Sequence, residues 1–123
     1  MRAIVVDDSR AMRSILKGIL RGAGFEVFEA ADGVEGLERL TEVGQVDLAL
    51  VDWNMPRMDG PGFVKAVRAQ PDRKSMRVMM VTSENDMTRV AHALEFGADE
   101  FVMKPFTKEI LIEKIQLLGV APG

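Results

Sequence analysis

Five residues of this 123-residue chain have the types and placement to do chemistry together: Asp7, Asp8, Asp52, Thr82 and Lys104. They stand where short apolar runs stop, after residues 3–6, 46–51, 77–81 and 101–103. Three carboxylates brought close together repel, and their pKa values are pushed apart unless a cation or an ammonium balances them. Mg²⁺ takes one or two carboxylates among near-octahedral oxygens. Asp8, Asp52 and a loop carbonyl such as that of Asn54 would suffice. A carboxylate so placed can act as a nucleophile and form an aspartyl phosphate, provided metal, Lys and hydroxyl neutralise the incoming oxygens. Asp52, Mg²⁺, Lys104 and Thr82 make up that set. A single acid at a strand end is ordinarily a solvated terminus or a helix cap. Five such residues on four strand ends argue for one shared pocket.

Elements must carry these residues, and the hydrophobic pattern supplies them. Residues 3–6 are β-branched and apolar without alternation, the pattern of a strand buried on both faces. Met12, Ile15, Leu16, Ile19, Leu20 and Ala23 then recur at helical spacing, with Ser9 to cap the helix and Gly24 to close it. Residues 25–30 read as a second strand, Asp32 as an N-cap, and Val34, Leu37 and Leu40 as an inner helical stripe, with Gly44 permitting the turn. The third strand, 46–51, is interrupted by Asp47 and runs into Asp52; residues 54–60 are loop-like, and a helix is expected to begin near 59–61 with Phe63, Val64 and Val67 inward. A fourth strand spans 77–81, a fourth helix carries Met87, Val90, Ala91 and Leu94 up to Gly97, and a fifth strand spans 101–103. Thr107 can cap a last helix with Ile110, Leu111, the Lys114 stem, Ile115 and Leu118 on its apolar side.

Strict alternation implies right-handed crossovers and an α/β fold: a single domain over 1–123, of (βα)5 type, with a doubly wound parallel five-stranded sheet. Ligands of such sheets bind beyond the carboxyl ends of the strands. All five candidate residues fall there, while the second strand end, near Glu29 and Ala30, adds nothing to them.

Composition narrows the rest. Hydrophobic residues at 47% and charged residues at 28% exclude a disordered chain. The absence of cysteine excludes disulfides, thiolate metal sites and a Cys nucleophile, and fits a reducing compartment. A net charge of -3 with interspersed signs gives no field for a nucleic-acid backbone. The first apolar run is too short for a signal peptide or a membrane helix. A cytoplasmic chain without nucleic-acid or membrane partners is therefore expected.

The motifs around these residues are Val5-Val6-Asp7-Asp8-Ser9, Asp52-Trp53-Asn54-Met55-Pro56 with Met58-Asp59-Gly60, Val81-Thr82-Ser83-Glu84, and Val102-Met103-Lys104-Pro105-Phe106. In this order they resemble, over essentially the full chain, the receiver domains of bacterial two-component response regulators. The resemblance implies a flavodoxin-like strand order 2-1-3-4-5. It implies Asp52 as acceptor of a phosphoryl group from a sensor histidine kinase, Asp8 and Asp52 as direct Mg²⁺ ligands with the Asn54 carbonyl, and Asp7 acting through water. Lys104 would contact the phosphoryl group, Thr82 would move toward it, and Phe101 would turn inward as the switch. Asn54 and Glu84 would tune hydrolysis, and the Lys104-Pro105 bond is expected to be cis. Such a protein catalyses only its own phosphorylation and dephosphorylation, and is not an enzyme in the ordinary sense.

Output in relatives runs through the fourth helix, fifth strand and last helix, which here would present Arg89, His92, Glu95, Phe101 and Lys108 to a downstream protein target. Phe101 departs from the Tyr common at that position and removes a hydroxyl. Because few residues follow Leu118, a stand-alone, monomeric regulator is expected, and the nearest members of the family suggest chemotaxis. A phosphorelay intermediate and a receiver cut from a longer regulator share the chemistry. A flavodoxin-like mononucleotide binder would need donors after the first strand, where this chain has Asp-Asp-Ser-Arg. The sole histidine, His92, reads as a surface residue, Trp53 as a pocket-edge aromatic, and most of the nine methionines as core filling. Gly60-Pro61-Gly62 weakens a helix start, leaving that end either mobile or simply permissive.

Overall fold

The apolar strand runs can be satisfied by one arrangement only, a sheet covered on both faces. A computed structural model, which describes residues 1–83, 91–92 and 94–120, has that arrangement. Its elements are β1 (Arg2–Val6), α1 (Arg10–Gly22), β2 (Glu26–Ala30), α2 (Gly33–Val43), β3 (Leu48–Asp52), α3 (Gly60–Arg68), a 3-10 turn (Pro71–Arg73), β4 (Arg77–Thr82), β5 (Glu100–Met103) and α4 (Lys108–Leu117). Ala91, His92, Leu94 and Glu95 are also helical. Met87, Arg89, Val90 and Glu84, singled out from the sequence, lie outside the described residues.

All strand pairs are parallel, and the order is β2-β1-β3-β4-β5, as the resemblance implied. Successive strand residues point to opposite faces, so each strand feeds two cores. Ile4, Val6, Ala49, Val51, Val78 and Met80 pack with Leu40, Phe63, Val64 and Val67 of α2 and α3. Ala3, Val5, Leu48, Leu50, Met79, Val81 and Val102 pack with Leu16 and Leu20 of α1 and Leu111 and Ile115 of α4.

Three helix starts follow the side-chain caps read from the sequence: Ser9, Asp32 and Thr107 each accept a backbone N–H three residues on, from Met12, Glu35 and Ile110, and Asp59, within the expected start of α3, does the same for Gly62. Three inner stripes are narrower than the spacing implies: Ile15 is 53% exposed, Leu94 46% and Ile110 45%. On α4 the core contacts are made by Leu111 and Ile115, one turn apart, and Ile110 lies about 100° round the helix from Leu111. Trp53 is buried, packed in the first core with its ring 6.3 Å from that of Phe96, rather than standing at a pocket edge. Met79 and Met80 are fully buried, in line with core filling.

Phe63 is fully buried between α2 and the sheet, where a Cβ on Gly36 would lie 2.7 Å from its ring and 3.3 Å from Val6. Truncating it would leave a cavity walled by two elements that are already in contact. Phe63→Ala is expected to destabilise the fold by about 3–5 kcal/mol, read as a lower urea midpoint at unchanged slope.

Candidate functional site

Strand order decides which carboxyl ends meet. The crossover from β2 to β3 passes over β1, so the order reverses between β1 and β3, the place where a doubly wound sheet opens a crevice. Val6 pairs with Val51 in register, and the next residues, Asp7 and Asp52, leave their strands side by side. Carboxylate oxygens of Asp7, Asp8 and Asp52 all lie within 4.8 Å of one another. On the other side of β3, Asp52 is level with Val81 of β4, and Thr82 is level with Met103 of β5. The Lys104 N–H donates to the Thr82 carbonyl at 2.7 Å, continuing the ladder one step and bringing Lys104 to the same edge.

Each acid has a different environment. Asp7 is buried: its Oδ1 accepts the Ser9 N–H at 2.8 Å, and Arg13 donates to its backbone carbonyl at 2.6 Å. Its Oδ2 has no hydrogen-bond partner among the described residues and faces Lys104 Nζ at 3.7 Å. Asp52 Oδ1 accepts the Trp53 N–H at 2.9 Å and Lys104 Nζ at 3.3 Å. Asp8 is exposed. Buried polar atoms are seldom left without a partner. The orphaned Asp7 oxygen inside an all-oxygen cluster therefore fits a hard cation, which takes oxygen ligands directly or through its waters. Asn54 is exposed on the loop after β3, Thr82 is buried, Phe101 is half-buried, and His92, Glu95 and Lys108 are exposed. The Lys104–Pro105 bond is cis, as expected.

Three contacts of the site go beyond what local sequence pattern specifies. Gly60 is required by close approach: a Cβ there would run into the carbonyl oxygen of Asp52 and lie 2.7 Å from Met80 Cε, and its N–H donates to the Trp53 carbonyl at 2.9 Å. The doubt about that helix start resolves as packing. Arg57, at φ 64, forms a bidentate pair with Asp32. A left-handed conformation at a residue with a side chain costs about 1–2 kcal/mol. Lys114 Nζ sits 5.1 Å from the Phe101 ring centre and 3.5 Å from Glu100 Oε1.

A family model of the response regulator receiver domain matches residues 3–116. The chain belongs to that family, and so to the response regulators of two-component signalling, which are signalling proteins and not enzymes in the ordinary sense. It is 42% identical to a chemotaxis protein CheY homolog of Campylobacter jejuni, with all of this chain and 96% of that protein aligned. It is 40% identical to chemotaxis protein CheY1 of Helicobacter pylori over 96% of each chain. The solved structure of Vibrio cholerae chemotaxis protein CheY4 superposes with a TM-score of 0.89 at 36% identity, covering 95% of this chain and 97% of that one. No helix among the described residues is long and apolar enough to cross a membrane.

Burial pushes the Asp7 carboxyl above its ordinary 3.8, against the opposing pull of the Ser9 N–H and Lys104. Burial first and the charge of Asp7 second push Asp52 up as well, from the same ordinary 3.8. An acid whose pKa is raised on folding stabilises the fold while protonated, below the unfolded value, and loses that contribution as pH rises through the folded value. In chelator, Asp52→Asn is therefore expected to be more stable than the wild type at pH 7 and to lose that advantage near pH 3. Urea midpoints at the two pH values check the sign.

Proposed function

We propose that this chain accepts a phosphoryl group on Asp52 from the phosphohistidine of a sensor kinase and changes its affinity for a protein partner while the group remains. The observation that carries this reading is the ammonium of Lys104, 3.3 Å from Asp52 and 3.7 Å from Asp7, in the same cluster as a third carboxylate. One ammonium cannot balance three carboxylates. A divalent cation beside that ammonium brings the positive charge level with the three carboxylates and stands next to the oxygens of an incoming phosphoryl group.

Asp8 and Asp52 with the backbone carbonyl of Asn54 would hold Mg²⁺, and Asp7 would act through water; the ion supplies positive charge beside the phosphoryl oxygens. A carboxylate oxygen of Asp52 forms the new bond to phosphorus as the bond from phosphorus to the donor imidazole breaks, its electron pair staying on that nitrogen. Lys104, already beside Asp52, transfers its attraction from carboxylate to phosphoryl oxygen. Thr82 supplies a hydroxyl to the same oxygens. Phe101, diagonal to Thr82 across the β4–β5 pair, couples the event to the face bearing His92, Glu95 and Lys108, where the target binds. Arg89 was expected on that face and lies outside the described residues. The named relatives are chemotaxis proteins, and a motility target in the cytoplasm is the corresponding output here.

Incubation with acetyl phosphate and Mg²⁺, followed by intact mass measurement, tests the central step. One added phosphoryl group is expected on the wild type and none on Asp52→Asn; equal labelling of the two would overturn the acceptor. Lys104→Ala is expected to keep at least wild-type Mg²⁺ affinity, because it removes a competing cation, while losing the phosphorylation-dependent gain in partner binding.

A further inference from the structure

The loop between Asp52 and α3 carries the Asn54 carbonyl, yet its tip is fastened to a different part of the fold. Met58 N–H donates to the Pro56 carbonyl at 2.6 Å, closing a three-residue turn with Arg57 at its centre in the left-handed region. That turn aims the Arg57 guanidinium back at the start of α2. Its Nε donates to Asp32 Oδ2 at 2.8 Å and its Nη2 to Oδ1 at 3.2 Å. The Asp32 side chain is 7% exposed, and its Oδ1 also accepts the Glu35 N–H that caps α2. Beside this pair, Gly33 N–H donates to the Met58 carbonyl at 3.1 Å, and a Cβ on Gly33 would lie within 2.8 Å of Met58. The β2–α2 segment that receives these contacts in turn holds Asp7, whose N–H donates to the Ala30 carbonyl at 3.0 Å.

We infer that the Arg57–Asp32 pair is a clasp that fixes the β3–α3 loop against the β2–α2 segment and so positions the metal-binding edge formed by Asp52 and Asn54 relative to Asp7 and Asp8. This rests on the proposed function, since it assigns Arg57 and Asp32 as positioning residues for its cation. The left-handed backbone at Arg57 supports it. Glycine would adopt that conformation without strain, whereas arginine has to be held there, and the bidentate contact to a buried carboxylate is what holds it. Groups that orient metal ligands from behind typically change metal affinity by about tenfold or more when removed.

Charge makes the test decisive. Arg57→Gly keeps the turn and removes a positive charge, so electrostatics alone would raise Mg²⁺ affinity. Asp32→Asn keeps an N-cap oxygen and removes a negative charge, so electrostatics alone would lower it. The double variant has the wild-type net charge, and electrostatics alone would restore wild-type affinity. A clasp requires all three to bind Mg²⁺ about tenfold more weakly than the wild type, with the double variant no worse than either single one. Mg²⁺ titrations followed by Trp53 fluorescence, with urea midpoints confirming that each variant is folded, read the outcome. Tighter binding by Arg57→Gly, wild-type affinity in the double variant, or affinities within twofold throughout would overturn the clasp while the acceptor reading stands. A wild-type chain that binds no Mg²⁺ would overturn both.

Discussion

Repulsion among Asp7, Asp8 and Asp52 is the constraint that organises the structure. Two carboxylates at most 4.8 Å apart, such as buried Asp7 and partly buried Asp52, repel by roughly 3–4 kcal/mol at an effective dielectric of about 20. The cluster survives in the folded chain because its neighbours supply what the acids need: a backbone N–H each for Asp7 and Asp52, and one ammonium shared between them. That compensation is incomplete, which is why burial raises both carboxyls. An incompletely balanced acid cluster attracts a cation more strongly than a satisfied one would, so the deficit that weakens the bare fold favours ligand binding.

The sheet makes the deficit affordable. Its two cores are apolar on both sides of every central strand, and the strand ends that carry charge are stiff continuations of those strands. The positions of Asp7 and Asp52 follow from the Val6–Val51 register, and that of Lys104 from its backbone bond to Thr82. Loops contribute differently. The segment after Asp52 gains its shape from distant contacts: Gly60 against the Asp52 carbonyl, Met58 against Gly33, and Arg57 against Asp32.

Much of this was legible in the sequence, for identifiable reasons. Strand positions and helix caps are readable because they depend on local pattern: two-sided apolar runs in β1 and β3, and Ser9, Asp32 and Thr107 each placed to accept an N–H three residues on. The shared pocket was readable because chemistry concentrates at strand ends. Adjacency of β1 and β3 was not, since alternation fixes the units and not their order; the order came from resemblance. Arg57 gave no signal because its partner lies twenty-five residues earlier, and nothing in the dipeptide Arg57-Met58 demands a left-handed turn. Ile15, Leu94 and Ile110 face solvent against expectation because helical spacing identifies a stripe without its width, which neighbouring elements set. The burial of Trp53 was missed because a loop residue has no periodicity to orient it.

The same logic bears on how a charge event at one edge can reach a surface. In a parallel pair, residues level with each other share a face, so Met80, Phe101, Thr82 and Met103 line one side of β4 and β5. Phe101 is half-buried, packed on the first core from one direction and capped by the Lys114 ammonium from the other. A tyrosine there could be tethered by its hydroxyl; this phenylalanine has only its ring face and its apolar contacts to choose between. Its position is therefore set by a competition between burial beside Met80 and attraction to a cation that Glu100 also holds. Under the proposed function, a movement of Thr82 toward the phosphoryl group would change the space on the buried side of that competition. The coupling proposed above would then need no hydrogen-bonded relay to the surface, because packing around one ring lies between the acid cluster's edge and the outer face of β5.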